Sequence, residues 1–240
     1  MQRNHIKPIA MIPARGGSER IPRKNIAPIL GKPALGMLIE KLDEFGMFDK
    51  IIVSTDDGEI SRVAESFGAK VIGRSHGLLS NNLTSSEEAI RDAIKILNLE
   101  RSEIPIFCIY PLAILIKKRY LIDAMALLEL NPEKFVIAGG IVSPNPTRHT
   151  FIQGDETIRV LFPENNLKRS QDLDIVYADS GMFYLANPNI WTQVDKYWYY
   201  NNATAVVIEK EDSLDVDTLE DLDKLREIVQ NNLIHDQDFE

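Results

Sequence analysis

Residues 6–25 have the sequence IKPIAMIPARGGSERIPRKN, and this stretch decides the fold. Its apolar run, Ile6 to Pro13, breaks into Ala-Arg-Gly-Gly-Ser, which predicts a buried strand that enters a glycine loop. The paired glycines, Gly16 and Gly17, let backbone amides approach a ligand closely. Four basic side chains crowd the same loop: Arg15, Arg20, Arg23 and Lys24. A loop after the first strand lies where open parallel sheets bind ligands, which favours a polyphosphate site over a solvated basic loop.

Short apolar strands alternate with helices outward from this loop. Further strands are predicted at residues 50–55, 69–72, 105–110, 135–138, 182–186 and 203–208. Helices are predicted at residues 33–45, 59–67, 85–97, 120–130 and 218–231. The alternation predicts an α/β fold with a mostly parallel, doubly wound sheet that is covered on both faces, in a single domain of residues 1–240.

The alternation stops between residues 143 and 176. Pro144, Pro146 and Pro163 interrupt this region, and the amphipathic stretch from Thr150 to Phe162 is typical of a hairpin. We interpret residues 143–176 as an insertion within the domain or as a dimerisation arm.

Composition and charge exclude several classes of function. The chain has 27 Lys and Arg against 36 Asp and Glu, a net charge of -9, which argues against nonspecific nucleic-acid binding. The apolar stretches are too short for a membrane helix and the start lacks the apolar core of a signal peptide, so we expect a cytoplasmic chain with no membrane partner. A single cysteine, Cys108, and four scattered histidines argue against zinc and redox sites.

A pair of aspartates precedes the last predicted helix. Alternation along an extended segment puts Asp215 and Asp217 on one face, with Val216 on the other. Two such carboxylates suit Mg²⁺, which prefers one or two carboxylates together with waters and substrate phosphates. In the alternative interpretation, Asp217 or Thr218 only caps the helix and Asp215 is solvated.

Two other polar segments have both a functional and a structural interpretation. Ser54-Thr55-Asp56-Asp57 ends the second strand, where a turn rich in Asp is expected whatever the function. The segment from Lys168 to Asp172 is either a surface loop or an anion site, and the planar guanidinium of Arg169 is its best candidate ligand.

These motifs resemble those of the cytidylyltransferases that activate nine-carbon acidic sugars, and the resemblance covers nearly the whole chain. The matching segments are IPARGGS (12–18), RIPRKNI (20–26), GKP (31–33), FDKIIVSTDD (48–57), LS (79–80), CIYP (108–111) and DVDTLED (215–221). Residues 162–164, 169–173 and Tyr177 are most similar to the pseudaminic acid branch of this family, and the sialic acid branch is the near neighbour. The resemblance implies a Rossmann-like nucleotidyltransferase fold and a homodimer.

The resemblance also implies a reaction and a set of site residues. The anomeric hydroxyl of a nonulosonic acid would attack the α-phosphate of CTP, with Mg²⁺ as cofactor, to give a CMP-sugar and pyrophosphate. The implied nucleotide-binding residues are Ala14, Arg15, Gly16, Gly17, Ser18, Lys24, Asn25 and Ser80. The implied sugar-binding residues are Lys168, Arg169, Gln171 and Asp179. The implied catalytic residues are Arg15, Lys24, Asp215 and Asp217, and the two aspartates are the implied Mg²⁺ ligands.

The chain departs from the usual pattern of this family near the expected site. Glu19 stands where the family usually has lysine, Leu112 where it has threonine, and Met182 where it has glutamine. Two alternatives therefore stay open: a transferase for sialic acid or another acidic sugar, and a catalytically silent protein that binds nucleotide sugars.

Overall fold

A seven-stranded sheet forms the centre of the protein. The structure is a computed structural model, and it describes residues 6–18, 20–75, 85–153, 157–193 and 202–237. Within these residues the strands are β1 (Ile9–Pro13), β2 (Pro28–Ile29), β3 (Lys32–Pro33), β4 (Lys50–Ser54), β5 (Lys70–Ile72), β6 (Ile106–Ile109), β7 (Phe135–Ile141), β8 (Phe151–Gln153), β9 (Ile158–Val160), β10 (Tyr177–Ala186) and β11 (Ala203–Ile208). The helices are α1 (Ala34–Glu44), α2 (Gly58–Ser66), α3 (Ser86–Ile96), α4 (Lys118–Leu130), α5 (Pro188–Trp191) and α6 (Leu219–Gln237). None of the helices in the described part of the chain has the length and apolar character needed to cross a membrane.

Parallel pairing dominates the sheet, whose strand order is β11-β7-β10-β6-β1-β4-β5. β1 pairs in parallel with β4 and β6, β4 with β5, and β7 with β11. Only β10 runs antiparallel to its neighbours in the described sheet, which are β6 and β7. The predicted α/β fold with a mostly parallel, doubly wound sheet is confirmed.

The antiparallel strand β10 is longer than the sequence predicts. The apolar run from Met182 to Ala186 indicates only its buried half, whereas the strand begins at Tyr177. Residues Tyr177 to Asp179 are exposed while they pair with β7, and the register shifts between Asp179 and Tyr184. Because the side chains of this first half are exposed, they carry no apolar pattern that sequence periodicity can detect.

The hydrophobic core lies on both faces of the sheet. Ala10 and Ile12 of β1 belong to a cluster with α1, α2 and α4, whereas Ile9 and Met11 belong to a cluster with α3 and α5. This burial on two faces explains the unbroken apolar run of β1. A third cluster joins α6 to the loop that follows β1. The last helix is therefore packed beside the first loop of the chain.

The region between β7 and β10 contains the predicted hairpin. β8 pairs antiparallel with β9, with Phe151 opposite Val160. Large apolar side chains are exposed in this region: Ile152, Ile158, Phe162, Leu167 and Ile175. The role of residues 143–176 in dimerisation stays a prediction, as does the assignment of residues 1–240 to one domain.

Candidate active site

A cavity of about 780 Å³ opens at the edge of the sheet where β1 and β6 end. Predicted site residues that line it are Arg15, Ser18, Lys24, Asn25, Asp179, Asp215 and Asp217. Other described residues around it include Arg20, Arg74, Ser86, Tyr110, Leu112 and Tyr184. The structure therefore brings the basic loop and the aspartate pair together, at the edge where open parallel sheets bind ligands.

The loop after β1 is held in place by one glycine and one asparagine. Gly16 lies against Asp57, and a Cβ atom at position 16 would be 2.4 Å from Asp57 Oδ2, so a larger residue does not fit. The side-chain amide of Asn25 donates to the carbonyl oxygen of Arg15 over 2.9 Å. These two contacts fix the backbone from which Arg15 extends along the cavity.

Arg23 belongs to the basic loop, but its guanidinium group is engaged by acidic side chains. It donates to both carboxylate oxygens of Asp57, over 2.5 and 2.8 Å, and to Glu59 over 2.5 Å. Asp57 also caps α2, because its Oδ1 accepts the backbone N–H groups of Glu59 and Ile60. The hydrogen bond from Arg23 holds the pKa of Asp57 well below its usual range. Asp57 therefore has a structural role here, as the turn interpretation predicts.

The aspartate pair lies opposite the basic loop. Val216 between them is buried in the third core cluster, which turns both carboxylates toward the cavity. Asp217 Oδ1 accepts from Arg20 over 2.8 Å and lies 3.4 Å from the Lys24 ammonium group. Asp215 is exposed to the cavity, but partial desolvation there, and then repulsion from Asp217, raises its pKa. Lys24 offsets part of this repulsion at Asp215.

The cap of α6 is provided by Thr218 and Asp221. The Thr218 hydroxyl oxygen accepts the backbone N–H of Asp221 over 3.2 Å, and Asp221 Oδ2 accepts the backbone N–H of Thr218 over 2.9 Å. Of the two caps that the alternative interpretation allows, the structure therefore shows Thr218 and not Asp217, and Asp215 is exposed, as that interpretation expects. The carboxylate of Asp217 therefore takes no part in the cap and lines the cavity.

The donors around Asp215 and Asp217 fit the coordination chemistry of Mg²⁺. Among the described residues no group of three or more His, Cys, Asp or Glu side chains is arranged to hold a metal ion by itself. Two carboxylates beside a basic loop match an ion that completes its shell with phosphate oxygens and water.

Asp179 enters the cavity from the exposed half of β10. Its Oδ1 accepts the backbone N–H of Gly181 over 2.9 Å, and the hydroxyl of Tyr184 donates to its Oδ2. Burial raises the pKa of Tyr184, which keeps this hydroxyl protonated as a donor. Gly181 has a φ of 62°, and a Cβ atom there would be 3.1 Å from Asp215 Cγ. This glycine therefore lets Asp179 and Asp215 reach the same part of the cavity.

Several predicted site residues are placed elsewhere. Lys168, Arg169 and Gln171 are absent from the described residues that line the cavity. All three are exposed, and Arg169 forms an ion pair with Asp172 over 2.8 Å. Within one chain the prediction that they bind sugar has no geometric support, because they belong to the insertion and not to the sheet edge.

The nucleotide-binding prediction needs smaller corrections. The Ala14 side chain is fully buried in the core, so only its backbone can contribute. Gly16 is covered by Asp57, whereas Gly17 is exposed. Ser80 and Glu19 lie outside the described residues.

Sequence reasoning missed Arg74, Ser86, Tyr110 and Tyr184 as cavity residues. Arg74 follows β5, and burial lowers the pKa of its guanidinium group. Its position just after a predicted strand was the one available signal. The two tyrosines pack edge to face with ring centroids 5.9 Å apart. They lie 74 positions apart in the sequence, so no local pattern encodes this contact.

The fold and the cavity define a nucleotide-binding α/β protein in which a basic loop faces a pair of carboxylates. The chain belongs to the cytidylyltransferase family, because the model of that family matches residues 9–238. The family resemblance noted in the sequence is confirmed.

Relatives and solved structures agree with this assignment. A pseudaminic acid cytidylyltransferase from Campylobacter jejuni subsp. jejuni serotype O:23/36 (strain 81-176) is 36% identical over 220 residues, 91% of this chain and 94% of that protein. An N-acylneuraminate cytidylyltransferase from Escherichia coli O18:K1:H7 (strain RS218 / NMEC) is 28% identical over 211 residues, 88% of this chain but 49% of that protein. The structure of CMP:2-keto-3-deoxy-manno-octonic acid synthetase complexed with CTP has a TM-score of 0.70 at 16% identity, covering 94% of this chain and 99% of that one. This last similarity concerns the fold alone.

Proposed function

We propose that this protein transfers CMP from CTP to the anomeric hydroxyl of a nonulosonic acid, most specifically pseudaminic acid, and releases pyrophosphate. The observation that carries the proposal is the cavity in which Lys24 of the basic loop and Asp217 of the aspartate pair lie 3.4 Å apart. A triphosphate binds to cationic side chains, and the metal ion that accompanies it binds to carboxylates. The cavity contains both kinds of side chain. The relative from Campylobacter jejuni supports pseudaminic acid as the sugar.

The side chains of the basic loop would bind and orient the triphosphate. Arg15 and Lys24 supply positive charge and Ser18 a hydroxyl group, and all three line the cavity. In the reaction the anomeric oxygen would bond to the α-phosphorus, the bond from that phosphorus to the pyrophosphate oxygen would break, and the hydroxyl proton would pass to water. Phosphoryl transfer depends mainly on positioning and on neutralised charge, which these residues would provide.

Asp215 and Asp217 would hold Mg²⁺ in the proposed site. When bound, the ion would supply positive charge that neutralises the phosphate oxygens. Val216 anchors the segment in the core, so the two carboxylates are held at fixed positions on the cavity wall. The bound ion would also offset the repulsion between the two carboxylates.

The sugar would lie at the end of the cavity formed by β10 and the residues after β6. Asp179, fixed by Gly181 and Tyr184, is the polar side chain best placed to accept a hydrogen bond from the sugar there. Leu112, which replaces the usual threonine, also lines the cavity, whereas Met182 is buried in the core. The replacement at Leu112 is therefore the departure that bears most directly on the choice of sugar.

We propose a homodimer as the assembly, formed through residues 143–176. The exposed side chains of Ile158, Leu167 and Ile175 support this, because a partner would remove their apolar surface from water. Such a partner would also be the means by which Lys168 and Arg169 reach a cavity. The reaction consumes CTP, so we propose the cytoplasm as its location.

The test is pyrophosphate release from CTP and Mg²⁺ with a panel of acidic sugars that includes pseudaminic acid, sialic acid and 2-keto-3-deoxy-manno-octonic acid. We expect the highest kcat/KM with pseudaminic acid. A higher kcat/KM with sialic acid would replace the proposed sugar. Calorimetric binding of CTP without pyrophosphate release from any acid would support the silent nucleotide-sugar binder, and absence of CTP binding would overturn both.

A further inference from the structure

The two ends of the basic loop both contact one carboxylate, that of Asp57. At the first end, the missing side chain of Gly16 lets the backbone pack against Oδ2 of Asp57, since a Cβ atom would be only 2.4 Å away. At the second end, the guanidinium group of Arg23 donates to both oxygens of the same carboxylate, over 2.5 and 2.8 Å. The segment 17–22 therefore spans between two points that Asp57 holds together.

The residues next to these two contacts are the cations proposed to bind the triphosphate. Arg15 directly precedes Gly16, and Lys24 directly follows Arg23; both line the cavity. A shift at either contact would move one of these cations relative to the other. A shift of Asp57 would therefore change the distance between these two cations.

Asp57 is itself rigidly held. It lies between β4 and α2, and its Oδ1 accepts the backbone N–H groups of Glu59 and Ile60 over 2.9 and 3.0 Å. A carboxylate with two backbone donors and a bidentate guanidinium has little freedom to move. It therefore serves as a fixed reference point for a loop whose described residues between Pro13 and Lys24 belong to no helix or strand.

The backbone of Arg23 supports the same conclusion independently. Its φ of 56° and ψ of 31° lie in the left-handed region, which residues other than glycine adopt only when the surrounding structure holds them there. The bidentate pair with Asp57 and the hydrogen bond from the Ile26 N–H to the Arg23 carbonyl oxygen both hold it. An arginine used only for its charge would need no such conformation.

We propose that Asp57 is the positioning residue of the phosphate-binding loop, and that Arg23 serves as its partner in the fold and not as a ligand of the triphosphate. This proposal rests on the proposed function only in naming CTP as the ligand of the loop. We call the Arg23–Asp57 contact the clasp. The clasp sets the positions of Arg15 and Lys24, so its loss should weaken CTP binding by displacing these two residues, although neither is itself changed.

The first test is CTP affinity, measured by calorimetry with Mg²⁺, in Asp57→Asn. Asparagine caps a helix as well as aspartate does, so α2 is preserved while the charged half of the clasp is lost. We expect CTP to bind at least about tenfold more weakly, as for the loss of one hydrogen bond between charged groups. The matched control is Glu59→Gln, which removes the other carboxylate beside Arg23. Glu59 is more exposed, and the atoms nearest Gly16 belong to Asp57 and not to Glu59, so its CTP affinity should stay within about threefold of the parent.

A double-mutant cycle separates the clasp from direct phosphate contact. If Arg23 acts only through Asp57, Arg23→Met and Asp57→Asn should each weaken CTP binding, and the double variant should be no weaker than the poorer single variant. Additive losses, or a loss in Arg23→Met alone, would show that Arg23 binds the triphosphate and would overturn the proposal. Arg23→Gly is the second probe if Asp57→Asn folds poorly, because glycine keeps the left-handed backbone while removing the clasp.

The second test does not depend on CTP. Trypsin cleaves after Arg and Lys, and the loop offers it four sites, Arg15, Arg20, Arg23 and Lys24. Without ligand, Asp57→Asn should be cut within residues 15–25 about tenfold faster than the parent, since local opening controls the rate, and Glu59→Gln should be cut at the parent rate. Equal rates in all three proteins would overturn the proposal. A parent protein that binds no CTP, yet shows this cleavage pattern, would reject the proposed function and leave the clasp in place.

Discussion

Lys24 Nζ lies 3.4 Å from Asp217 Oδ1, although the two residues are 193 positions apart in the sequence. Arg20 donates to the same oxygen over 2.8 Å. These side chains are partly exposed, so the ion pairs add little to the stability of the fold. Their importance is chemical. When a triphosphate and a metal cation bind together, Lys24 and Arg20 would pair with the phosphates instead of with Asp217, and Asp217 would pair with the cation.

The first prediction concerns the charge of the aspartate pair. Asp215→Asn and Asp217→Asn keep the shape of each side chain, and the cap of α6 belongs to Thr218 and Asp221. Both variants should therefore melt near the parent temperature. They should release pyrophosphate at least about a hundredfold more slowly, equal to roughly 2.7 kcal/mol of barrier, and require more Mg²⁺. The measurement is pyrophosphate release against Mg²⁺ concentration.

Thr218→Ala is the matched control for this pair. It removes the capping hydroxyl next to Asp217, so it should cost about 1 kcal/mol of unfolding free energy and leave the dependence on Mg²⁺ unchanged. If both asparagine variants kept near-parent activity at limiting Mg²⁺, the aspartates would be structural residues and the metal assignment would be wrong.

The second prediction concerns Asp212, a buried carboxylate just upstream of the aspartate pair. It accepts from the Tyr120 hydroxyl over 2.6 Å and pairs with Lys117 over 2.7 Å, and only 8% of its side chain is exposed. Asp212→Ala should lower the unfolding free energy by about 3 kcal/mol, because it leaves the buried Tyr120 hydroxyl without its acceptor and removes the partner of Lys117. Urea unfolding measures this change.

Glu209→Gln is the control for Asp212. Glu209 pairs with Arg119 in the same cluster but is exposed, so its replacement should affect stability far less. Equal effects of the two replacements would show that the burial of Asp212 adds nothing to its contribution.

The sequence predicted those parts of the site that are encoded locally. Gly16 and its neighbouring cations form one continuous motif, and the spacing of Asp215 and Asp217 places both on one face of an extended segment. The clasp was not predictable, because Arg23 and Asp57 are 34 positions apart and each belongs to a motif with its own simpler explanation. The same holds for Arg74, a single arginine after a strand, and for the exposed half of β10, which has no apolar pattern.

The third prediction concerns the exposed apolar side chains of residues 143–176. If a second copy covers them, the protein should sediment as a dimer at micromolar concentration, and Ile158→Asp should shift it toward the monomer by placing a charge in an apolar contact. Analytical ultracentrifugation measures both. A parent protein that sediments as a monomer would contradict the assembly.

A mixing experiment tests whether the arm completes the partner's site. Arg169→Ala and Asp217→Asn are each expected to be nearly inactive if the arm of one chain serves the cavity of the other. Mixed dimers would then contain one intact site, so an equal mixture should regain up to about a quarter of the parent activity. No recovery, with mixed dimers verified, would restrict Arg169 to its own chain.

The last prediction concerns acid stability and the Asp57 carboxylate. The hydrogen bond from Arg23, followed by those from the backbone of α2, holds the pKa of Asp57 far below its value in the unfolded chain, which is about 3.9. A carboxyl group whose pKa is lower in the folded state adds stability that is fully present above the unfolded pKa and is lost as the pH falls below it. The parent should therefore exceed Asp57→Asn in unfolding free energy by a constant amount between about pH 6 and pH 7, and this excess should shrink as the pH falls from about 4 toward 2. Urea unfolding of both proteins across this range measures the excess.

The control is the same comparison in an Arg23→Met background, where the pKa of Asp57 has lost its main cause of depression and the pH dependence of the excess should be smaller. Parallel stability curves for parent and variant down to the lowest pH would show that the carboxylate gains no stabilisation from Arg23 in the folded protein.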